Sequence, residues 1–470
     1  MNKLLAKIVA AAVCVLLLAT AVIAFFTFKP ASGHIKNSSI VHGADKVKYV
    51  FLFIGDGMST PQRMIAEEFS KKLGRGPLEI NNLPYHGTTR TASANSLVTD
   101  SAAAATAIAC GVKTYNGAIG VDVNKKRVES VAEVAKKQGK KVGIITSVTI
   151  YHATPAGFYA HQHSRSSYYK IGLDLIASGF DYFGGGGAGA PDGYKKDSAY
   201  KGSLYDLAKK AGYKVVIGKD GFNSVTSKDK KVWSVGTYGS LTYNIDRKTD
   251  ADLTLADFTR QGIQVLDNPN GFFMMVEGGA IDWAGHANMA AENLHEVLGF
   301  NDAVKVALEF AKKHPDDTLI IVTGDHETGG MTMGFAGSGY NLWMDRLAHQ
   351  KMSAIAFSGL IESKRKQNPK LTFDDIKKDI TDTFGLRFTD DKKDPMRLRT
   401  HHIKMLKDGF KNKKMWQAMR NVLNEKAGIG WTSGAHTALP VLTTSQGKNA
   451  QKFTGLYENT EISNRLKPMM

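Results

Sequence analysis

At 470 residues, 43% hydrophobic and 9% aromatic, the chain has the apolar content of a folded protein with a substantial core, which excludes an intrinsically disordered segment. Its 61 Lys and Arg against 44 Asp and Glu give a formal charge of +17, an excess that suits an anionic partner or substrate. The basic residues are scattered, densest over 364–414, without aromatic–basic interleaving; this argues against nucleic acid and for a solvated surface that attracts phosphate esters at long range.

The first 28 residues stand apart. Lys3 and Lys7 precede an apolar stretch over 8–28 that is long enough to span a membrane, so export is expected, through a signal peptide or an uncleaved anchor. Residues 29–46, rich in Ser, Gly and Asn, read as a tether before a catalytic body over 47–470. Beyond the leader Cys110 is the single cysteine, so the body has no internal disulfide, and a core of this size stands without one.

From residue 47 onward strands and helices alternate. Apolar runs at 47–54, 85–91, 141–148, 180–183, 214–217, 271–276 and 318–323 read as strands, the longest of them buried on both faces. Helical patterns at 61–72, 101–109, 129–138, 168–177, 204–211, 255–266 and 291–312 separate them. That order predicts an α/β fold, a mostly parallel central sheet with helices on both faces. Over 334–434 Lys-rich helical stretches at 343–364, 373–383 and 413–426 form an insertion or cap, and a last strand follows at 437–443. The glycine run 184–187 lacks the Gly-Lys-Ser/Thr of a phosphate loop and reads as a turn.

Acids and imidazoles gather where these strands end. Asp56 sits between two glycines after the first strand, and Glu277 ends a later one. Asp282 and His286, spaced i, i+4, face one way on a helical turn, Asp325 and His326 are adjacent after the 318–323 strand, and His436 follows the insertion. Such groups at successive buried strand ends call for a cation, and zinc takes mixed nitrogen and oxygen ligands. Ser101 opens the Ala-rich helix after Asp100, where free amides and the helix dipole suit a phosphoryl group and a neighbouring zinc would hold the oxygen as alkoxide. Arg165 offers a planar fork for two phosphate oxygens. His161 and His163 read as supporting or surface residues, Glu292, His295 and Glu296 as packing and surface positions, and the pair His401–His402 carries no ligand spacing.

The strings FIGDGM (53–58), TDSAAAATA (99–107), VEGGAIDWAGH (276–286), VTGDHETGG (322–330) and SGAHT (433–437) resemble the signature blocks of alkaline phosphatases, in that family's order. The resemblance implies that Ser101 becomes phosphoserine and that Arg165 binds phosphate. It implies one zinc on Asp282, His286 and His436, a second on Asp56, Asp325 and His326, and a third ion, usually magnesium, on Asp56, Thr154 and Glu277. Two positions depart from the best-known bacterial members: His152 stands for an Asp, which favours Zn or Co over Mg in the third position, and Trp283 stands for a Lys, which removes a water-mediated phosphate contact. The family's habit implies a homodimer acting on phosphate monoesters outside the cytoplasm. Three rivals stay open: a phosphodiesterase or a sulfatase of the same superfamily, and a non-catalytic envelope protein that binds metal or phosphate. Against a sulfatase, Ser101 is followed by alanines rather than by the Ser-x-Pro-x-Arg frame that formylglycine formation needs.

Overall fold

The computed structural model describes residues 46–249 and 252–470. The expected export segment, 1–28, and all but the last residue of the expected tether lie outside the described residues. Among the described residues no helix is long and apolar enough to cross a membrane. The described residues form one compact unit.

Eight strands precede the helical region: β1 (Tyr49–Gly55), β2 (Tyr85–Arg90), β3 (Lys141–Thr146), β4 (Tyr182–Gly186), β5 (Lys214–Ile217), β6 (Val232–Thr237), β7 (Phe272–Gly278) and β8 (Thr318–Gly324). Four two-residue strands, β9 (Glu327–Thr328), β10 (Thr332–Met333), β11 (Ile429–Gly430) and β12 (His436–Thr437), make two small pairs, and β13 (Val441–Gly447) and β14 (Gly455–Glu458) complete the set. The main sheet runs β14-β2-β13-β8-β1-β7-β3-β4-β6-β5. Every neighbouring pair in it is parallel except the two that β13 makes, so β13 alone runs backwards.

The centre of the sheet is apolar on both faces because helices cover both. Tyr49, Phe51 and Phe53 of β1 join one core with helices Thr60–Lys72, Leu255–Leu266 and Ala290–Lys313. Val50, Leu52 and Ile54 point the other way, into a second core with helices Ser101–Cys110, Val131–Lys137 and Tyr168–Ser178. All seven residues of β1, β7 and β8 are buried.

Three expectations need correction. The glycine run is the buried end of β4 and not a turn: a Cβ on Gly185 would lie 1.8 Å from the Thr146 carbonyl oxygen, and one on Gly186 would lie 1.9 Å from that of Val148. The last strand of the sheet starts at Val441 and runs antiparallel; the predicted residues 437–443 straddle β12 and β13. Glu292 and Glu296 are buried anchors, not surface residues. Glu292 Oε1 accepts from Ala354 N at 2.7 Å and Gln350 Nε2 at 2.9 Å, and Glu296 Oε1 accepts from Asn244 N at 2.6 Å. The helical region itself comprises Ala354–Gln367, Lys377–Phe384, Thr400–Lys411 and Met415–Ala427, of which the third was not anticipated.

Candidate active site

Strand register brings the first acids together. Gly55 of β1 pairs with Gly324 of β8, so Asp56 and Asp325, each one residue beyond, leave the sheet side by side. Glu277 of β7 lies level with Ile54 on one side and with Thr146 of β3 on the other, and the Thr146 hydroxyl donates to its carboxylate. Gly57 turns at a φ of 71°, where its amide donates to Asp325 Oδ1 at 3.1 Å. Thr154 Oγ1, in a short helical turn after β3, lies 3.3 Å from Asp56 Oδ2 and 3.4 Å from Asp325 Oδ2. His326 Nε2 sits 3.3 Å from both Asp56 Oδ1 and Asp325 Oδ2.

A second cluster adjoins the first. Helix Ala280–His286 carries Asp282 and His286 on one face, with His286 Nε2 3.4 Å from Asp282 Oδ1. His436 Nε2 lies 3.5 Å from the same oxygen and 3.1 Å from His286 Nε2, and its ring stacks on that of His326 with centroids 3.6 Å apart. The tautomers follow from the opposite ring nitrogens. His286 Nδ1 is 2.8 Å from the Gly434 carbonyl and His436 Nδ1 is 2.8 Å from that of Thr99; a carbonyl only accepts, so each Nδ1 carries its proton and each Nε2 presents a lone pair. Two lone pairs facing each other at 3.1 Å make no hydrogen bond; they suit a cation between them.

The nucleophile candidate meets both clusters. Asp100 caps helix Ser101–Cys110 by accepting from Ala103 N at 3.0 Å, which places Ser101 on the first turn with Oγ 3.1 Å from His326 Nε2. The helix is all small residues in its first five positions and wholly buried, so it packs closely: a Cβ on Gly157 would touch that of Ala105 at 2.8 Å. Arg165 Nη1 donates to Asp100 Oδ2 at 3.1 Å, and Nη2 lies 3.3 Å from His152 Nε2. The ring of Trp283 meets His152 edge to face, centroids 5.9 Å apart.

The electrostatics of the two clusters require positive charge. Asp56, Glu277 and Asp325 are fully buried and Asp282 is nearly so, yet among the described residues no Lys or Arg pairs with any of them. Asp56 Oδ1, Glu277 Oε1 and His152 Nδ1 are buried without a hydrogen-bond partner. Burial, reinforced by the charge of Asp325, raises the Asp56 carboxyl well above the usual range. Burial likewise pushes Glu277 up to about 8 and Asp325 up to about 7. Burial and then His436 hold His326 well below the ordinary imidazole value, and burial with Arg165 brings His152 down to about 3, so both rings stay neutral. Neutral imidazoles beside uncompensated carboxylates match the donor set of a zinc centre.

Every site residue singled out in the sequence falls in this region. Thr328 was missed: its hydroxyl donates to Asp282 Oδ1 at 2.5 Å and lies 3.3 Å from His326 Nδ1, so one side chain links the two clusters. Its position two residues after His326 was the only hint. His401 and His402, read as lacking ligand spacing, do meet Glu425 at 2.8 and 3.0 Å. Arg399 N donates to His402 Nδ1, and burial lowers this ring to about 4, so the neutral imidazole carries its proton on Nε2 and turns an N–H, not a lone pair, toward Glu425. His161 bonds the Gly120 carbonyl at 2.7 Å and Glu133 at 3.1 Å, a supporting role.

The alkaline phosphatase family model matches residues 47–470. Alkaline phosphatase 3 of Bacillus subtilis (strain 168) is 33% identical over 466 residues, 95% of each chain. Among solved structures, the cold-active alkaline phosphatase from a psychrophilic Shewanella sp. superposes with a TM-score of 0.77 at 29% identity, covering 89% of this chain and 98% of that one. A His-to-Asp mutant of the TAB5 alkaline phosphatase with Mg bound in its M3 site superposes with a TM-score of 0.63 at 26% identity, over 91% and 99% of the two chains. With a family match from β1 to the last residue and a relative this similar along nearly its whole length, the chain belongs to the alkaline phosphatase family and is an enzyme of that family.

Proposed function

We propose that this chain is an exported, metal-dependent phosphomonoesterase of broad specificity that works through phosphoserine at Ser101, within a catalytic body spanning 47–470. The observation that carries the reading is the convergence of six ligand side chains, all but His286 buried or half-buried, in two adjoining clusters that meet the Ser101 hydroxyl at His326, with no Lys or Arg paired to their carboxylates among the described residues. Asp282, His286 and His436 would hold one zinc, and Asp56, Asp325 and His326 a second. Asp56, Thr154 and Glu277 would hold a third ion, magnesium or, beside the His152 ring, zinc or cobalt. Bound there, two zinc ions would neutralise the charge that develops on the attacking and leaving oxygens of an in-line displacement.

The protein's own groups supply position. Ser101 Oγ, fixed on the first turn of its helix, forms a bond to phosphorus as the bond to the ester's alcohol oxygen breaks. Arg165, held by Asp100, places its guanidinium plane against two non-bridging oxygens, and the amides at the helix start add donors. Water then cleaves the Oγ–P bond and frees phosphate. The export segment and the family's dimeric habit support an extracytoplasmic homodimer, tethered to the membrane if the segment at 8–28 is uncleaved, with the helices of 334–434 as a cap near the mouth.

Phosphate release from a simple aryl phosphate, before and after chelation, tests this reading together with elemental analysis. About two zinc per chain is expected, and Ser101→Ala is expected to lower turnover by roughly three orders of magnitude or more while leaving zinc content intact. Equal turnover in Ser101→Ala would sink the mechanism. Comparable rates on mono- and diesters would favour the diesterase reading.

A further inference from the structure

Three loops feed the two ligand clusters: the turn after β1 with Asp56, the segment after β8 with Asp325 and His326, and the short strand β12 with His436. They come from distant parts of the sequence, and β12 is only two residues long and half-buried. One buried side chain bonds the second and third directly and reaches the first through Gln62. Glu327, fully buried, accepts from Gln62 Nε2 at 2.6 Å, Gly330 N at 2.9 Å and Met331 N at 3.2 Å, and from the Thr437 hydroxyl. Gln62 in turn accepts from Ser59 N at 3.0 Å and donates to the Thr328 carbonyl at 3.1 Å, which fixes the turn three residues beyond Asp56. Thr437 pairs with Glu327 across the β9–β12 ladder, and His436 pairs with Thr328.

We propose that Glu327 is a positioning residue that holds the His436 strand against the Asp325–His326 segment, and so sets the spacing between the two ion sites. The inference rests on the two-ion reading above. Glu327 is not among the proposed ligands. Its four donors are all neutral groups, and a donor lost weakens the hold on the segment that carried it. The consequence is unequal. His326 keeps Asp56, Asp325 and Thr328 around it on a segment continuous with β8, whereas the backbone that carries His436 is a two-residue strand held by this ladder, its ring resting on the Thr99 carbonyl and stacked on His326. Loss of the clasp therefore loosens the His436 site first.

Two variants test this. Thr437→Val removes one donor at nearly constant shape and spares the Gln62 side; Glu327→Gln keeps the side-chain volume but turns a donor toward groups that already donate. Zinc release into a chelator, followed by a colorimetric zinc indicator on the whole protein, is expected to become biphasic in both, with one zinc leaving roughly tenfold faster and the other at the parental rate. Melting of the chelated proteins is the control: a positioning role predicts chelated Thr437→Val within a few degrees of chelated parent. Release at the parental rate for both zincs, or equal acceleration of both, would overturn the proposal. So would a chelated melting point that falls as far as the loaded one. A parent that binds no zinc would instead defeat the two-ion reading on which it stands.

Discussion

Burial and mutual repulsion raise Asp325 to about 7 and Glu277 to about 8, and this makes the metal-free protein sensitive to pH in a way the loaded protein is not. An acid whose folded pKa stands above its unfolded value, about 4, takes up a proton on folding. Its contribution is therefore present at low pH and is lost as pH rises through the folded value. His326, depressed by burial, works the other way, but only below its unfolded value of about 6.5. Between about pH 6.5 and about 8 Asp325 and Glu277 act together with Glu296, raised to about 7, and against Lys140 and Lys426, whose amines burial lowers to about 8; with three acids shifted inside the window the chelated protein is expected to melt at a lower temperature at pH 8 than at pH 6.5. Zinc-loaded protein, with Asp325 and Glu277 held ionised, should show a smaller decline, the part left by Glu296; a chelated melting point that falls no more than the loaded one over this window would contradict the assignment. The third ion position depends on a single ring. Arg165 Nη2 donates to His152 Nε2, so His152 Nδ1 carries its proton, buried without a partner 3.8 Å from Asp56 Oδ2. An N–H in that place competes with a cation. His152→Asp replaces it with an acceptor and is expected to raise retained magnesium toward one per chain; unchanged magnesium by elemental analysis would count against this account.

The element scale shows what the sequence disclosed and what it hid. β1, β7 and β8 were legible because burial on both faces leaves a continuous apolar run, and the acids that end them were legible because carboxylates are rare beside such runs. β9 and β12 were not: two residues hold no periodicity, and their pairing joins Thr328 to His436, more than a hundred residues apart. Thr328 and Glu327 were hidden for the same reason, since their partners are set by that pairing and not by local spacing. The glycines of β4 misled because Gly signals a turn by default, whereas here it marks close approach of the β3 backbone. This yields a sharp expectation for Gly185, which has a φ of +112° and no room for a Cβ beside Thr146 O. Gly185→Ala is expected to cost about 3 kcal/mol or more, seen as a lower melting point or loss of soluble protein. Gly239→Ala, where a Cβ meets nothing within 4 Å, serves as the control.

For the molecule as a whole, the question is how the helices between 334 and 434 are fastened to the sheet body that carries the chemistry. Their composition foretold helices but not attachment, because the anchor lies on the other side, at the start of helix Ala290–Lys313. Glu292 is fully desolvated, which raises its carboxyl, and it is stabilised by Ala354 N and Gln350 Nε2. Asp246 adds a bond from Ser353 N at 2.7 Å, and Arg420 and Asn424 bond the Ala287 and Asn288 carbonyls at 3.0 and 2.8 Å, directly beyond His286. Glu292→Ala leaves the buried Ala354 amide without its acceptor and removes one of the two acceptors of Gln350 Nε2, which keeps the Met352 carbonyl, an expected loss of about 2–3 kcal/mol. Because Arg420 and Asn424 remain, the loss should be local: faster amide exchange around 350–367, a lower melting point, and aryl phosphate turnover within about twofold of the parent, since no ligand atom or Ser101 contact is touched. Unchanged exchange in that segment would show that Glu292 is no anchor. A large fall in turnover with zinc content preserved would show instead that the helical region shapes the mouth of the site, and that the ester's alcohol is handled there.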